Sequence, residues 1–372
     1  MYNTQCIHFT GYKPCKFKRS CIDCPRAQRA ETRVVIVSLE ALGAVLRSTC
    51  LLSPIKRRYQ NSHVTWITMP NAVALLKNNS QINQILPFDA TLSSILGSLE
   101  FDVAFIVDKS IAAGALANQI NAAHKFGFGI NSAGKIIPLT ESASYQYSLG
   151  LDDQLKFFEN QKPETQQITE TMGLDWERDS YHLEFSPEEM QEIDRRRRQI
   201  KAGFDGVIGF STGCSTLFPY KKFTVEKSIE IIEGWLRDFP KYKIALFGGR
   251  EDTDRNRAIK GHFIDVDRVE NTPTSEGLRS GILWMAVADL ILTGCSLGLH
   301  ISIALETKII TWFGVSCAQE IDLYERGLKL SSNVPCSPCW KKSCDKDVKC
   351  FDEVSNAEIL SATSTLLLGS SK

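Results

Sequence analysis

The sequence lacks a net charge, a long apolar run and the two most familiar nucleotide-binding fingerprints. Its 372 residues carry 43 basic and 43 acidic side chains, so no overall field draws the chain toward nucleic acid or an anionic bilayer. No run of about 18 apolar residues, the length of a transmembrane helix, is present. Neither a G-x-G-x-x-G after a strand nor a G-x-x-x-x-G-K-[ST] occurs, which disfavours dinucleotide oxidoreductases and P-loop enzymes.

The beginning of the chain also lacks the basic and then apolar pattern of a signal peptide. The first residues read MYNTQCIHFTGYKPCKF, which is polar and contains cysteine. We therefore expect a cytoplasmic protein without a nucleic-acid partner. One strongly basic run, Arg195 to Arg198, lies on a predicted helix. It is either a solvated helix face or a contact with anionic lipid or glycolipid, which would hold the protein peripherally at a membrane.

The composition that remains is that of a globular protein, with 43% apolar and 23% charged residues. The length suggests two domains of average size. Strand-like runs such as VVIVSL and FDVAFIVD alternate with helical stretches, among them one predicted from Gly43 to Tyr59, and the same rhythm restarts at GVIGFSTG. This alternation predicts an α/β fold of two lobes with parallel sheets, binding ligands in a cleft at the carboxyl ends of their strands.

Between the two rhythms lies a helix that starts with a strong N-terminal signal. Ser186 is a predicted N-cap, Pro187 follows at the first helical position, and two glutamates fill the first turn. The predicted organisation is a cysteine-rich segment 1–30, a first lobe 31–185, a linker helix 186–205, a second lobe 206–330, a cysteine-rich loop 331–352 and a C-terminal helix 353–372.

One strand-to-helix turn of the second lobe has the features of a phosphate site. In GFSTGCSTLFPYKKF, Thr212 and Gly213 follow a strand, and Lys221 and Lys222 come soon after. Small residues let backbone amides approach an anion, and a lysine adds a point charge.

Two further turns of this lobe share that character. Gly248 and Gly249 open the turn FGGREDTDRN, where Glu251 can accept hydrogen bonds from ribose hydroxyls. In TGCSLGLH, the residues from Gly294 to Gly298 end a strand and begin a helix, whose free N–H groups and dipole favour a bound anion. Three such turns in one lobe predict a site for a nucleotide diphosphate.

Eight of the twelve cysteines are concentrated near the two ends of the chain. The N-terminal set is Cys6, Cys15, Cys21 and Cys24, and the C-terminal set is Cys336, Cys339, Cys344 and Cys350. In a reducing compartment clustered cysteines are more often metal ligands than disulfides, and the C-terminal spacing C-x2-C-x4-C-x5-C suits one tetrahedral zinc ion. Whether the N-terminal set binds its own ion, pairs with the other set or remains as thiols stays open.

The motifs taken together resemble glycosyltransferase family 9, the ADP-heptose:lipopolysaccharide heptosyltransferases. The likeness spans residues 33 to about 355. SLEALGAVLRSTCLLSPIKRRYQNSHVTWIT is similar to the opening strand, L-G-D turn and helix of the family. STGCSTLFPYKKFTVEK, LFGGREDTDRN and ADLILTGCSLGLHISIALETKIITWFG are similar to its three donor-site segments. EIDLYERG followed by CSPCWKKSC is similar to the tail of a cysteine-bearing subgroup.

The resemblance implies the GT-B architecture, with two Rossmann-like lobes, an acceptor on the first and the nucleotide sugar on the second. It implies an inverting transfer of heptose from ADP-heptose to a lipopolysaccharide core, another surface glycan or a protein, without a catalytic metal. Among cysteine-bearing relatives it makes iron the alternative to zinc. The donor-binding residues that it implies are Thr212, Gly213, Lys221, Lys222, Gly249, Glu251, Ser296, Leu297, Gly298 and His300.

Two positions depart from the pattern of the family. Where the family has an Asp after the L-G of its first turn, this chain has Ala44, which cannot accept a proton, and Cys295 replaces a second family Asp. Inverting transfer needs a base for the acceptor hydroxyl. The candidate bases are Glu40, four residues before Ala44, and Asp108, at the end of the strand FDVAFIVD.

Three explanations of the departure from the family remain. Glu40 or Asp108 replaces the family base, or a different acceptor places the base elsewhere, or the protein binds a nucleotide sugar or a partner without turnover. Redox chemistry at the cysteines is a further hypothesis, which no feature besides the cysteines supports.

Overall fold

The computed structural model describes residues 2–369, which form two compact units. The first unit comprises the residues up to Asp153 together with Thr165–Glu184. The second comprises Gln154–Glu164 together with the residues from Phe185 onward. The chain passes from the first unit to the second after Glu184, next to the boundary predicted from the sequence. The assignment of Gln154–Glu164 to the second unit was not predicted.

The first unit is built on a six-stranded sheet with one antiparallel edge strand. Its strands are β1 (Thr32–Val37), β2 (Ser62–Thr68), β3 (Gln84–Pro87), β4 (Glu100–Ile106), β5 (Asn121–Ile130) and β6 (Ile136–Pro138). They lie in the order β3-β2-β1-β4-β5-β6, and β6 alone runs antiparallel to its neighbour. All four residues from Val34 to Val37 are fully buried, as expected for a central strand covered on both faces.

The helices of the first unit are short. They are α1 (Leu42–Ser48), α2 (Leu52–Arg58), α3 (Val73–Leu76), α4 (Leu92–Leu96), α5 (Ile111–Gln119), α6 (Ser144–Ser148) and α7 (Glu164–Thr171). The single helix predicted from Gly43 to Tyr59 is therefore wrong in one respect, because a 3₁₀ turn at Thr49–Leu51 separates α1 from α2. Pro54 accounts for the break, since it has no N–H to donate and its ring would collide with the carbonyl four residues earlier.

The second unit repeats the same topology with an all-parallel sheet. Its strands are β7 (Gly206–Ser211), β8 (Tyr242–Phe247), β9 (Val269–Asn271), β10 (Leu290–Gly294), β11 (Lys308–Phe313) and β12 (Gly327–Ser331), in the order β12-β11-β10-β7-β8-β9. Its helices are α8 (Pro187–Ile200), α9 (Val225–Asp238), α10 (Thr253–His262), α11 (Leu278–Met285), α12 (Leu297–Ala304) and α13 (Asn356–Leu368).

The strand order decides where each unit can bind a ligand. In both sheets the first strand lies between the second and the fourth, so the connections reverse direction there: between β1 and β4 in the first unit, and between β7 and β10 in the second. Open α/β sheets bind ligands at the carboxyl ends of the strands that flank such a switch point. The two predicted Rossmann-like lobes are thus confirmed.

Helix α8, predicted as a linker, is an integral part of the second unit. Ser186 and Glu189 form the reciprocal N-terminal cap that the sequence predicted. Glu189 also forms an ion pair of 2.7 Å with Arg279, and the Arg196 guanidinium lies 4.5 Å from the centre of the Trp284 ring. These contacts bind α8 to α11.

The core of the second unit is centred on Trp235 of α9. This side chain is fully buried, meets Phe210 of β7 edge-on at 5.7 Å, and donates from its indole nitrogen to the Thr363 hydroxyl of α13 at 2.9 Å. The C-terminal helix is therefore part of this core.

We expect Trp235→Ala to lower the free energy of unfolding of the second unit by about 3–5 kcal/mol, because it leaves a large cavity. Trp235→Phe is the matched control, since it removes mainly the hydrogen bond, worth about 1 kcal/mol. Urea denaturation followed by circular dichroism measures both, and equal losses in the two variants would contradict the packing argument.

Candidate functional site

The two candidate bases lie together at the switch point of the first unit. Asp108 follows β4 and Glu40 follows β1, two neighbouring parallel strands. The Asp108 carboxylate accepts a short hydrogen bond from the Leu39 N–H and a second, of 3.3 Å, from the Glu40 N–H. Glu40 itself is exposed, whereas Asp108 is only 6% exposed. The structure therefore brings together the two residues that the sequence singled out.

Burial raises the pKa of Asp108 to about 6. The two backbone N–H groups lower this pKa, whereas the nearby negative charge of Glu40 raises it further. Asp108 thus titrates close to neutral pH while tying together the turn that carries Glu40.

Ala44 lies in the first turn of α1, two residues after the helix begins. Its N–H bonds to the carbonyl of Ala41, which precedes the helix and offers no side-chain cap. A methyl group at this position neither accepts a proton nor caps the helix. Any base in this part of the chain has to come from a neighbouring carboxylate, and Glu40 and Asp108 are the candidates.

The turn after β7 holds its backbone in place through two polar side chains that the sequence analysis missed. Thr212 is 2% exposed, and its hydroxyl forms a short hydrogen bond with the Asn256 side chain. A Cβ at Gly213 would overlap the carboxylate of Asp252. Asp252 in turn accepts the Gly249 N–H at 2.9 Å, so one buried carboxylate joins two of the three predicted phosphate turns. The sequence predicted a ribose-binding role for its neighbour Glu251, whereas Asp252 is the residue that links the two turns.

The charges around this turn are of both signs. Burial raises the pKa of Asp252, and the charge of the half-buried Lys222 opposes that rise. Glu251 and Gly249 are both exposed beside it. The predicted ribose and phosphate residues of this turn are therefore on the surface, whereas the Thr212 hydroxyl is engaged inside the unit.

The third turn leads from β10 into α12. Ser296 caps the helix by accepting the Gly298 N–H at 3.2 Å, and Leu297 is half-buried beside it. A Cβ at Gly298 would overlap the Ser211 hydroxyl, so the first turn of α12 packs directly against the end of β7. His300 is 7% exposed one turn further on. The helix N-terminus thus lies at the switch point of this unit, where its dipole favours an anion.

Two cysteines of these turns are protonated thiols. Burial raises the pKa of both Cys214, in the turn after β7, and Cys295, at the position where the family has Asp. At neutral pH both are therefore uncharged thiols, and neither acts as a general base.

Lys221 reaches the same edge of the sheet from the turn after β7. Its backbone lies against Gly294, where a Cβ would overlap the Lys221 carbonyl oxygen. The side chain is 7% exposed, and its ammonium lies 4.1 Å from the centre of the Trp340 ring and 4.7 Å from that of Phe218. Trp340 belongs to the cysteine-rich loop, and no sequence signal linked it to this lysine.

The cysteines of each set line a common cavity, and all are free thiols. The N-terminal set surrounds a cavity of about 20 Å³, and the C-terminal set surrounds one of about 50 Å³ that also touches Tyr220 and Gly314. Burial and the three neighbouring thiols of its set raise the pKa of Cys350 to about 11. Within residues 2–369 no three Cys, His, Asp or Glu side chains are already in an arrangement that holds an ion.

The arginine run is largely engaged within its own unit. Arg195 pairs with Glu192 at 2.7 Å, Arg196 is buried beneath Trp284, and Arg197 donates to the Ala286 carbonyl. None of the helices in the described part of the chain has the length and apolar character needed to cross a membrane.

Known proteins share the sequence family and the fold of this chain. The profile of glycosyltransferase family 9 (heptosyltransferase) matches residues 90–349. Lipopolysaccharide heptosyltransferase 1 of Campylobacter coli is 22% identical over 349 residues, covering 88% of this chain and 97% of that protein.

Solved structures share the fold over nearly the whole chain. The family 9 glycosyltransferase of Veillonella parvula DSM 2008 has a TM-score of 0.70 at 18% identity, covering 92% of this chain and 99% of that one. E. coli ADP-heptose lipopolysaccharide heptosyltransferase II has a TM-score of 0.68 at 15% identity, covering 90% and 98%. The profile match extends over more than half of the sequence, and the chain therefore belongs to glycosyltransferase family 9, the heptosyltransferase family.

Proposed function

We propose that the protein transfers heptose from ADP-heptose to a lipopolysaccharide core, another surface glycan or a protein, by an inverting mechanism without a catalytic metal. The observation that carries this proposal is that each sheet concentrates its candidate residues at its own switch point. Carboxylates lie there in the first unit, and the N-terminus of α12 lies there with Lys221 in the second. The first suits an acceptor hydroxyl and the second a nucleotide diphosphate.

The donor half of the proposal assigns the diphosphate to the turns after β7 and β10. The N-terminal amides of α12 and the charges of Lys221 and Lys222 would stabilise the negative charge that develops on the leaving group. Glu251 would accept hydrogen bonds from the ribose hydroxyls.

In the transfer step a carboxylate removes the proton of an acceptor hydroxyl. The acceptor oxygen forms a bond to the anomeric carbon of the donor sugar on the face opposite the diphosphate. The bond from that carbon to the diphosphate oxygen breaks, and ADP leaves with the electron pair. One displacement inverts the anomeric configuration, and the proton stays on the base.

Glu40 is the better candidate for this base. Its side chain is exposed, whereas the Asp108 carboxylate is buried and already accepts two backbone N–H groups. We assign Asp108 the role of a positioning residue that fixes the Leu39–Glu40 backbone.

One observation favours a second function, the binding of a nucleotide sugar or partner without turnover. Ala44 stands where the family has its base, and the helix turn around it offers no other proton acceptor. The same assay distinguishes the two functions.

The test is an assay of nucleotide release with ADP-heptose and heptose-deficient lipopolysaccharide, accompanied by calorimetric donor binding. We expect release by the wild type and a loss of about 100- to 10,000-fold in kcat for Glu40→Gln, the usual contribution of a general base. Glu100→Gln is the matched control, because Glu100 is exposed at the opposite end of β4.

The possible outcomes separate the two functions. Donor binding without release for any glycan acceptor would favour the binding function, and absence of binding by any nucleotide sugar would contradict both. An unchanged kcat in Glu40→Gln would remove Glu40 as the base.

The Asp108 assignment predicts a pH-dependent stability. Because the pKa of Asp108 is raised from its ordinary 3.8 to about 6 in the folded state, the folded protein binds this proton more tightly than the unfolded chain does. The free energy of unfolding of the wild type, relative to Asp108→Asn, should fall by about 2.4 kcal/mol as the pH rises from 4 to 7. Urea denaturation across this range measures the difference, and a rise instead of a fall would contradict the burial argument.

We further propose that the cysteine sets hold structural zinc, with iron as the alternative. Each set lines one cavity and contains no disulfide. The N-terminal segment has little packing of its own to hold it folded. None of residues 2–30 is buried, and the only β-bridge within that range joins Cys6 to Arg29. A segment without an apolar core is usually held by a metal or disulfides. When bound, the metal would supply cross-linking only.

We expect elemental analysis to find one metal ion for each set, and Cys344→Ser and Cys21→Ser each to remove one of them. Chelation should lower the thermal midpoint, because a closed metal site contributes directly to folding. Cys50→Ala is the control, since Cys50 is a buried thiol outside both sets. Metal-free protein after both aerobic and anaerobic purification would contradict the proposal.

Cytoplasmic localisation with a peripheral contact at the inner membrane is also a proposal. It rests on the acceptor class and on the exposed Arg195 and Arg198 of the arginine run. Arg195 is paired with Glu192, so Arg198 is the better candidate for a lipid headgroup.

A further inference from the structure

Lys221 is a buried cation without a carboxylate partner. It is 7% exposed, and within the described residues no Asp or Glu forms an ion pair with its ammonium. The ionisable groups that act on it include Cys214 and Cys295, whose pKa values are raised by burial so that both are neutral thiols. A buried charge without a counter-charge is costly, which points to an anion as its functional partner.

Two aromatic rings hold this ammonium in place. Phe218 and Trp340 meet edge-on, with centres 5.7 Å apart, and the Lys221 ammonium lies within 4.7 Å of both ring centres. Such contacts contribute about 0.5–2 kcal/mol, and more where water is excluded. They also restrict a four-carbon side chain that would otherwise lose rotamer entropy when it binds an anion.

Trp340 is itself fixed to the end of strand β11. The backbone N–H of Trp340 donates to the Val315 carbonyl at 2.9 Å, and the backbone N–H of Cys339 donates to the same oxygen at 3.2 Å. On the other side of the loop, Cys350 packs against Gly314, where a Cβ would overlap its sulfur. The position of Trp340 therefore depends on how the cysteine-rich loop is attached to β11.

We propose that Trp340 is a positioning residue for the donor: it holds the Lys221 ammonium where the donor diphosphate binds, so that the four-cysteine loop sets donor affinity. This inference rests on the proposed function and adds a role for a loop outside the donor turns. The loop contributes through an aromatic ring and makes no contact of its own with the diphosphate.

The test compares the affinities of ADP and adenosine by calorimetry, because only ADP carries the diphosphate. We expect Trp340→Leu to weaken ADP binding about 3- to 30-fold and to leave adenosine binding unchanged. Trp340→Phe should restore most of the loss. Trp284→Leu is the matched control, since Trp284 is also half-buried in this unit and also lies beneath a cation, Arg196.

Two further variants examine the proposed chain of contacts. Lys221→Met should weaken ADP binding at least as much as Trp340→Leu, and the double variant should show little additional loss, because both act on one interaction. Cys344→Ser should weaken ADP binding through the loop, whereas Cys21→Ser, in the N-terminal set, should not.

The outcomes distinguish this inference from the function on which it rests. Equal losses for ADP and adenosine in Trp340→Leu, no loss at all, or additive losses in the double variant would overturn the inference while leaving the transferase intact. Failure of the wild type to bind ADP, UDP or GDP would overturn the proposed function and the inference together.

Discussion

The second unit depends on the close approach of two backbone turns at the carboxyl ends of β7 and β10. Gly298 lies against the Ser211 hydroxyl and Gly294 against the Lys221 carbonyl, at separations that leave no room for a Cβ. The first turn of α12 is consequently fixed against the Ser211 side chain, and the segment that carries Lys221 is fixed against the main chain at the end of β10. Charges placed in this way need no reorganisation when an anion binds, which is the condition for strong electrostatic stabilisation.

In the first unit a side chain, and not a glycine contact, fixes the backbone at the switch point. At its switch point the Asp108 carboxylate bonds to the Leu39 and Glu40 N–H groups and ties the end of β4 to the turn after β1. The interaction is sensitive to charge because the carboxyl is buried. A chain with alanine at position 44 thus keeps an ordered turn and an exposed carboxylate nearby, although the helix start itself has no acidic group.

Local pattern was enough to predict most of the fold. Buried runs such as Val34 to Val37 and the glycine turns after β7 and β10 are visible in the sequence, because they follow from strand burial and backbone geometry. The helix cap at Ser186 was equally visible. The extent of α1 was misjudged because Pro54 acts on a carbonyl four residues before it.

The parts of the site that sequence reasoning missed are tertiary. Asp252 joins two turns that are far apart in the sequence, and its neighbour Glu251 is the more conspicuous residue. Trp340 meets Lys221 across more than a hundred residues, and its place after Cys339 suggests only a role in the cysteine loop. No periodicity or spacing encodes contacts of this kind.

The N-terminal segment has a consequence for how this sequence can change over evolutionary time. None of the side chains from residue 2 to residue 30 is buried, so packing places little demand on the amino acids between the cysteines. Substitutions there should accumulate freely, while the intervals between Cys6, Cys15, Cys21 and Cys24 limit insertions and deletions. In the buried strand β1, which follows directly, selection should act instead on side-chain volume.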